Sequence, residues 1–288
     1  MTINRKGKIC LVTGGNSGIG FETAKELSLR GSKVILLCRS ADKAEKARKE
    51  ITALHPEAEI DLAIADLSSQ KQVRTVAQEI LEQYPKIDVL VNNAGAWFSE
   101  FGRTEDGFER QWAINHLAPF LLTHLLLPAL LEAKDPRIIN ISSDSHFHGK
   151  IHFDDVNLSK KYHGLRAYAQ SKLANVLFTH EFEVRKPVEK LSVYAVQPGL
   201  VKTDIGLKHT VSFHGLMWKL RRLVGKSARK GAETSIYLAS SGEVRGISGK
   251  YWDNCHIKSP SYTADSPVAA ARLWDLSMEM CGISKYFP

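Results

Sequence analysis

Cysteine is scarce and scattered. The 4 cysteines, Cys10, Cys38, Cys255 and Cys281, form no Cys-x-x-Cys pair. That argues against a disulfide framework or a thiolate zinc site, and for a reducing, intracellular setting. Blocks of like charge are missing too. The net charge is +8, yet no Lys/Arg run is long enough to resemble a nucleic-acid arm. Nucleic acid is therefore not an expected partner, and an anionic small molecule explains part of the excess. Apolar runs are short. The longest, Leu117 to Leu131, is broken by His124 and Pro128 and is expected to fall short of a bilayer span. The opening residues, Met1 to Gly7, hold no apolar signal or anchor. A cytoplasmic location is the expectation. Linkers, internal repeats and low-complexity tracts are absent as well, so residues 1–288 are expected to form one domain.

What is present is a steady alternation of strands and helices. The patterning predicts strands at 9–13, 34–38, 60–65, 89–91, 137–142, 192–197 and 250–252, about seven in all. It predicts helices at 21–29, 41–54, 72–84, 107–131, 167–184 and 230–240. Near-continuous apolar strands indicate parallel pairing with both faces covered. The fold class is α/β, a Rossmann-type doubly wound parallel sheet with helices on both faces. Two intervals, Ser143 to Arg166 and Thr203 to Arg229, exceed ordinary connections and lie where such folds build sites.

Thr13-Gly14-Gly15-Asn16-Ser17-Gly18-Ile19-Gly20 joins the first strand to the first helix. Gly14 permits a tight turn, Gly18 lets backbone approach a pyrophosphate, and Gly20 lets the helix pack closely. The helix N-terminus adds free N–H groups and positive partial charge. Gly14, Asn16, Ser17, Gly18, Ile19 and Gly20 are thus the expected dinucleotide cradle, with a plain turn as the alternative. A fold that prefers NAD places Asp or Glu at the end of the second strand. Here that place holds Cys38, followed by Arg39. A guanidinium suits a 2′-phosphate, so NADP(H) is the expected cofactor. The alternative leaves Arg39 as a solvated residue of the next helix. Asp66, with Leu67 beside it, follows the third strand. It sits either near an adenine ring or as a cap-type residue opening the Ser68–Gln72 turn. Asn93, Ala94 and Gly95 follow the fourth strand, where small residues allow a cofactor close and also favour a turn.

Tyr168 and Lys172 share one helix face. An unperturbed tyrosine titrates near 10, too high for acid–base work at neutral pH. A nearby ammonium is expected to stabilise the phenolate and lower that value. Tyr168 is then a general acid for carbonyl reduction and a general base for the reverse. Ser143, after the fifth strand, would hold the substrate oxygen and stabilise developing alkoxide charge.

Thr13–Gly20, Asn92–Gly95, Ser142-Ser143, Tyr168-x-x-x-Lys172 and Pro198-Gly199, in that order, resemble the short-chain dehydrogenase/reductase family. The resemblance runs from residue 9 to about 252. It implies that Lys172 also bonds the nicotinamide ribose, that Ser143 rather than Ser142 is catalytic, and that Asn115 positions a proton-relay water. It places Pro198, Gly199, Val201 and Thr203 against the carboxamide. It also implies pairing of two helices across a two-fold axis, through Leu121, Leu122, Leu125 and Leu126 with Leu173, Val176 and Leu177, so a homodimer enters as a candidate assembly.

Leu36-Leu37-Cys38-Arg39, Ile114-Asn115-His116-Leu117 and Ser171-Lys172-Leu173-Ala174-Asn175 resemble the retinol dehydrogenase-like subgroup. That likeness implies NADP preference and a small apolar, lipid-like carbonyl or alcohol as substrate. His146, His148 and His152 form a His-x-His cluster with a third histidine nearby. The implied reaction needs no metal, so the expectation is a polar loop at the substrate pocket and no metal site. The segment at about 203–230 combines apolar residues on one helical face with many Lys and Arg. It is expected to act as a substrate lid, with contact to a membrane surface or plain core packing as alternatives. A non-catalytic NADP(H)-binding sensor is the competing function, disfavoured by the complete Ser143, Tyr168, Lys172 and Asn115 set.

Overall fold

The structure, a computed structural model, describes residues 6–201 and 225–288. Eight strands form one sheet in the order β3-β2-β1-β4-β5-β6-β7-β8. They are β1 (Ile9–Thr13), β2 (Lys33–Cys38), β3 (Ile60–Ile64), β4 (Val89–Asn92), β5 (Arg137–Ile141), β6 (Ser192–Gln197), β7 (Lys250–Asp253) and β8 (His256–Ile257). All neighbours are parallel except β7 and β8. The expected count of about seven omits β8. That strand is 2 residues long and turns back through Asn254 and Cys255, both at positive φ (49° and 62°). A two-residue reversal of that hand closes a hairpin, but Asn-Cys is a weak sequence signal for it.

Successive strand residues face opposite layers, as a period of two requires. Leu11, Ile35, Leu37, Leu90, Ile138 and Val193 pack under α3 (Gln70–Gln83), α5 (Ala118–Leu131) and α6 (Gly164–Arg185). Cys10, Val12, Leu36, Val91, Ile139 and Val196 pack under α1 (Gly18–Leu29), α2 (Ala41–Leu54) and α7 (Ala228–Ser240). The sheet therefore separates two apolar cores. The helices α1, α3 and α6 begin 2 or 3 residues earlier than the periodicity predicts, because their first turns carry glycine or polar residues instead of apolar signal. The short helix α4 (Arg110–Trp112) leads into a π-helical turn at Ala113–Leu117 and then α5.

Three expectations are corrected. First, the apolar run expected to fall short of a bilayer span belongs to one continuous helical stretch, which runs through Pro128 as the predicted helix at 107–131 requires. The helical run Arg110–Leu131 is 22 residues, long and apolar enough to cross a membrane, and 72% of its most apolar stretch is buried inside the fold. Second, α8 (Pro267–Met280) was not anticipated. Its start is nonetheless written in the chain: the Ser266 hydroxyl accepts the Ala269 N–H, and Pro267 occupies the first turn. Third, the helix faces expected to meet a second copy are covered within the chain. Leu121, Leu126, Leu173, Val176 and Leu177 are buried in one core with Leu273 and Trp274 of α8 and with Tyr286. The Trp274 ring lies 4.4 Å from Tyr286 and 5.2 Å from Phe120, and the Tyr286 hydroxyl donates to the Phe120 carbonyl at 2.8 Å. The proposed lid, up to residue 224, lies outside the described residues.

Trp274→Ala is expected to cost about 3–5 kcal/mol by removing a buried aromatic. It should also uncover Phe120 and Phe178, so sedimentation should show more self-association than in the parent chain. Val184→Ala, at a position 79% exposed, should change neither the melting temperature nor the sedimentation. An unaltered melting temperature for Trp274→Ala would contradict the packing role.

Candidate active site

The glycine loop hangs from the end of β1. Gly14 and Gly18 adopt positive φ, 64° and 57°, a region that costs glycine little. A side-chain carbon at Gly20 would stand 2.4 Å from both the Gly14 carbonyl and Asn93 Nδ2, so the helix end, the loop and β4 meet with no room to spare. Ser17 caps α1 in extended conformation without using its hydroxyl. Its hydroxyl and the first N–H groups of α1 remain available to an anion. The Thr13 hydroxyl accepts the N–H groups of Asn93 and Ala94, each at 2.9 Å, and Asn93 Nδ2 donates to the Thr13 carbonyl at 2.8 Å. These bonds clamp the Asn93–Gly95 turn to the loop.

Cys38 lies beneath the loop and accepts backbone N–H groups of Gly15 and Asn16; burial pushes its thiol up to about 11. It is thus a brace for the cradle as well as a core residue. Arg39 is largely exposed, and its Nη1 lies 3.8 Å from Asp66 Oδ2. Asp66 Oδ1 also accepts the Ser68 N–H at 2.9 Å. The cap of α3 is Ser69, whose hydroxyl accepts the Gln72 N–H. Asp66 therefore shapes the turn and faces Arg39 at once, while Leu67 packs against the core.

Tyr168 and Lys172 stand one turn apart on α6, with the ammonium 5.6 Å from the phenol ring centre. Lys172 is 3% exposed and donates to the Ile141 carbonyl at 3.0 Å. Burial lowers its pKa to about 8. The Ser143 hydroxyl meets the Tyr168 phenol, and that contact pulls the phenol's pKa down; burial outweighs it and raises the pKa to about 12. The expected depression of Tyr168 by Lys172 is thus not seen. The cation spends its hydrogen bond on a strand carbonyl, and the loss of water around the ring dominates. Ser142 turns the other way, donating to the Lys172 carbonyl at 2.7 Å.

Asn115 sits fully buried in the π-helical turn, a local geometry frequent at functional positions. Its Oδ1 accepts the Ala96 N–H at 2.7 Å, and its Nδ2 donates to the Ala96 carbonyl and to Ser171 Oγ. A side-chain carbon at Gly95 would lie 3.4 Å from Lys172 Nζ and 3.5 Å from Asn115 Oδ1, so this glycine joins the cradle to the Tyr–Lys pair. Gly199 follows β6 and Pro198 at positive φ (78°). Val201 bridges to Lys226 and touches Gly231 of α7 closely enough that any side chain there would collide. Thr203 lies outside the described residues.

Of the three clustered histidines, His146 is buried with both ring nitrogens engaged, whereas His148 is exposed and His152 half-buried. No group of three or more metal-ligating side chains occurs among the described residues. His146 falls in the loop expected at the substrate pocket, but its second partner, Ser261, is 115 positions away and leaves no local signal in the sequence. A separate cavity of about 400 Å³ lies on the Leu173 and Leu177 side of α6, lined also by Ile151, Phe153 and Tyr262; no residue of the Ser143–Tyr168–Lys172 group reaches it.

A dinucleotide cradle, a Ser–Tyr–Lys group and one parallel sheet define a nicotinamide-dependent α/β oxidoreductase architecture. The sequence model for the short chain dehydrogenase family matches residues 8–210. This chain belongs to the short chain dehydrogenase family. It is 40% identical to human retinol dehydrogenase 11 over 282 residues, covering 98% of this chain and 88% of that protein. It is 41% identical to human retinol dehydrogenase 13, covering 96% and 85%. Among solved structures, a Mycobacterium paratuberculosis protein superposes with TM-score 0.79 at 31% identity, covering 98% of this chain and 96% of the other. A Shigella flexneri short chain dehydrogenase, solved in complex with NADP, superposes with TM-score 0.66 at 23% identity, covering 89% and 100%. The chain is accordingly an oxidoreductase acting on CH–OH or C=O groups of small molecules with a nicotinamide cofactor.

Lys172 gives a pH test. Below pH 8 it is charged in both folded and unfolded chains, and the folded state carries the burial penalty; that penalty fades as the pH rises from 8 towards 10.5. Lys172→Met is therefore expected to be more stable than the parent by about 2 kcal/mol near neutral pH, net of one lost hydrogen bond. Denaturant titrations should show this gap closing towards alkaline pH. A gap that widens with pH would reverse the sign of the argument.

Proposed function

We propose that this chain is a single dinucleotide-binding and catalytic domain that uses NADP(H) to interconvert an apolar, lipid-like carbonyl and its alcohol, with Tyr168 as the acid–base group. The observation that carries the proposal is the meeting of the Ser143 and Tyr168 hydroxyls one helical turn from the buried Lys172, beside Gly95 and the glycine cradle. The residues present fit a dinucleotide, because the Gly14–Gly20 loop, with the Gly14 and Asn16 N–H groups spent on Leu37 and Cys38, leads into the first N–H groups of α1 and the Ser17 hydroxyl, which caps nothing in the helix. Asn93, Ala94 and Gly95 would line its path, with Pro198, Gly199, Val201 and Thr203 at the far end and Asp66 and Leu67 at the near one. The bound cofactor supplies the hydride in reduction and takes it up in oxidation.

Ser143 holds the substrate oxygen, and Tyr168 hands it the phenolic proton as charge develops there. Because burial keeps Tyr168 protonated at neutral pH, the acid needed for reduction is the form at hand. Lys172, whose ammonium is held by the Ile141 carbonyl, would hold the nicotinamide ribose beside Tyr168. Asn115 holds the Ala96 peptide and Ser171 in place between the cradle and α6. Arg39 at the end of β2, with no acid at Cys38, favours a 2′-phosphate over a free 2′-hydroxyl. The apolar substrate class draws on kinship with the retinol dehydrogenases and on two exposed apolar side chains near the site, Phe147 and Leu200, each 41% exposed.

Two measurements test the proposal. NADPH and NADH affinities should differ at least about ten-fold in favour of NADPH, and Arg39→Asp should abolish or reverse that preference. Equal binding of both by the parent chain would refute the role of Arg39. Tyr168→Phe should lower carbonyl reduction by about 10²–10⁴-fold while leaving NADPH affinity intact. NADPH binding without turnover of any member of a broad carbonyl and alcohol panel would instead favour a sensor.

A further inference from the structure

Ser143 is tied to a distant part of the chain through one buried ring. His146 is fully buried beneath the turn Asp144–His148. Its Nδ1 lies 2.7 Å from the Ser143 carbonyl oxygen, and its Nε2 accepts the Ser261 N–H at 3.1 Å. The second bond sets the tautomer. Nε2 must be bare to accept, so Nδ1 carries the proton and donates to Ser143. The ring packs on Phe147 and Tyr251, with centres 4.2 and 4.8 Å away. Tyr251 in turn donates its hydroxyl to Gln197 Oε1 at 2.7 Å, directly before Pro198 and Gly199. Burial also holds the imidazole below its ordinary pKa, which keeps the neutral donor–acceptor form.

The hydrogen bonds that Ser143 Oγ makes inside its own turn are long, 3.2 Å from the Ser145 N–H and 3.4 Å to Ser145 Oγ. The direction of that hydroxyl therefore depends on how firmly the turn's backbone is held. We propose that His146 is a positioning residue for the reaction: by locking the Ser143 peptide to the segment around Tyr251 and Ser261, it aims the Ser143 hydroxyl at Tyr168 and the substrate oxygen. The proposal rests on the catalytic role given to Ser143. Small displacements of such a group lower rate rather than binding.

A double-mutant cycle tests it in the full-length chain, with NADPH and a reducible aldehyde. His146→Ala should lower kcat by about ten-fold or more with the NADPH KM nearly unchanged. In a Ser143→Ala background the same change should lower kcat by less than about two-fold, because the hydroxyl it aims is gone. His146→Asn, whose amide can donate to the Ser143 carbonyl in place of Nδ1–H, should recover most of the lost rate. A His146→Ala loss that multiplies in full with Ser143→Ala, or a His146→Asn variant no better than His146→Ala, overturns the positioning role and leaves the catalytic proposal standing. If Ser143→Ala alone leaves turnover intact, the catalytic role of Ser143 itself falls, and the inference with it.

Discussion

Parallel pairing brings the ends of β1, β4, β5 and β6 to one level, and the site is assembled from the backbone groups stranded there. The register sets Val12 against Val91, Asn92 against Asn140, and Ile141 against Val196. Beyond those pairs the ladder stops, and the last peptide groups need partners from elsewhere. The Thr13 hydroxyl takes two N–H groups of the turn after β4. The Ile141 carbonyl takes Lys172 Nζ and Asn175 Nδ2. The same bonds that satisfy the sheet edge therefore fix the cradle and aim the cation. Moving the Asn93–Gly95 turn would cost the Ala94 N–H its Thr13 partner, and moving Lys172 would leave the Ile141 carbonyl to Asn175 alone.

Such a site is costly to hold. A cation with one hydrogen bond and a phenol with one hydroxyl partner are both buried against α6, and each has its pKa displaced in the direction that disfavours charge. Two apolar cores, one on each sheet face, offset that cost. The displacement has a chemical use as well. A cation whose pKa lies near neutrality responds to small changes of charge beside it, while the phenol keeps its proton at neutral pH and holds it more tightly than an ordinary tyrosine.

The features that were legible before the structure share one property, locality. Gly14, Gly18 and Gly20 lie within one turn-and-helix unit, and the Tyr168–Lys172 pair follows from helical spacing alone. The alternation of apolar runs predicts the sheet because parallel strands are buried on both faces. The rest depends on partners far away in sequence. An apolar stripe on α5 or α6 says that something covers it, yet nothing in Leu121 or Leu173 says whether a second copy or α8 does so. Helical spacing brings Lys172 near Tyr168 but does not reveal the Ile141 carbonyl that engages the ammonium.

The C-terminal segment shows how far such long-range partners reach. It covers the α5–α6 face through Trp274 and Tyr286, and it also touches the site's surroundings at two histidines. His116, next to Asn115, bonds Ser277 Oγ at 2.8 Å, and His146, near Ser143, accepts from the Ser261 N–H. Burial lowers the pKa of both rings, to about 3 for His116. The neutral His146 pairs one nitrogen as donor and the other as acceptor and so spans two segments without a net charge to bury, whereas His116 reaches across through Nε2 alone. The two histidines thus make the last quarter of the chain part of the frame around Asn115 and Ser143. Covering the helix face and bracing the site are then two consequences of the same docking of α8 and the residues before it.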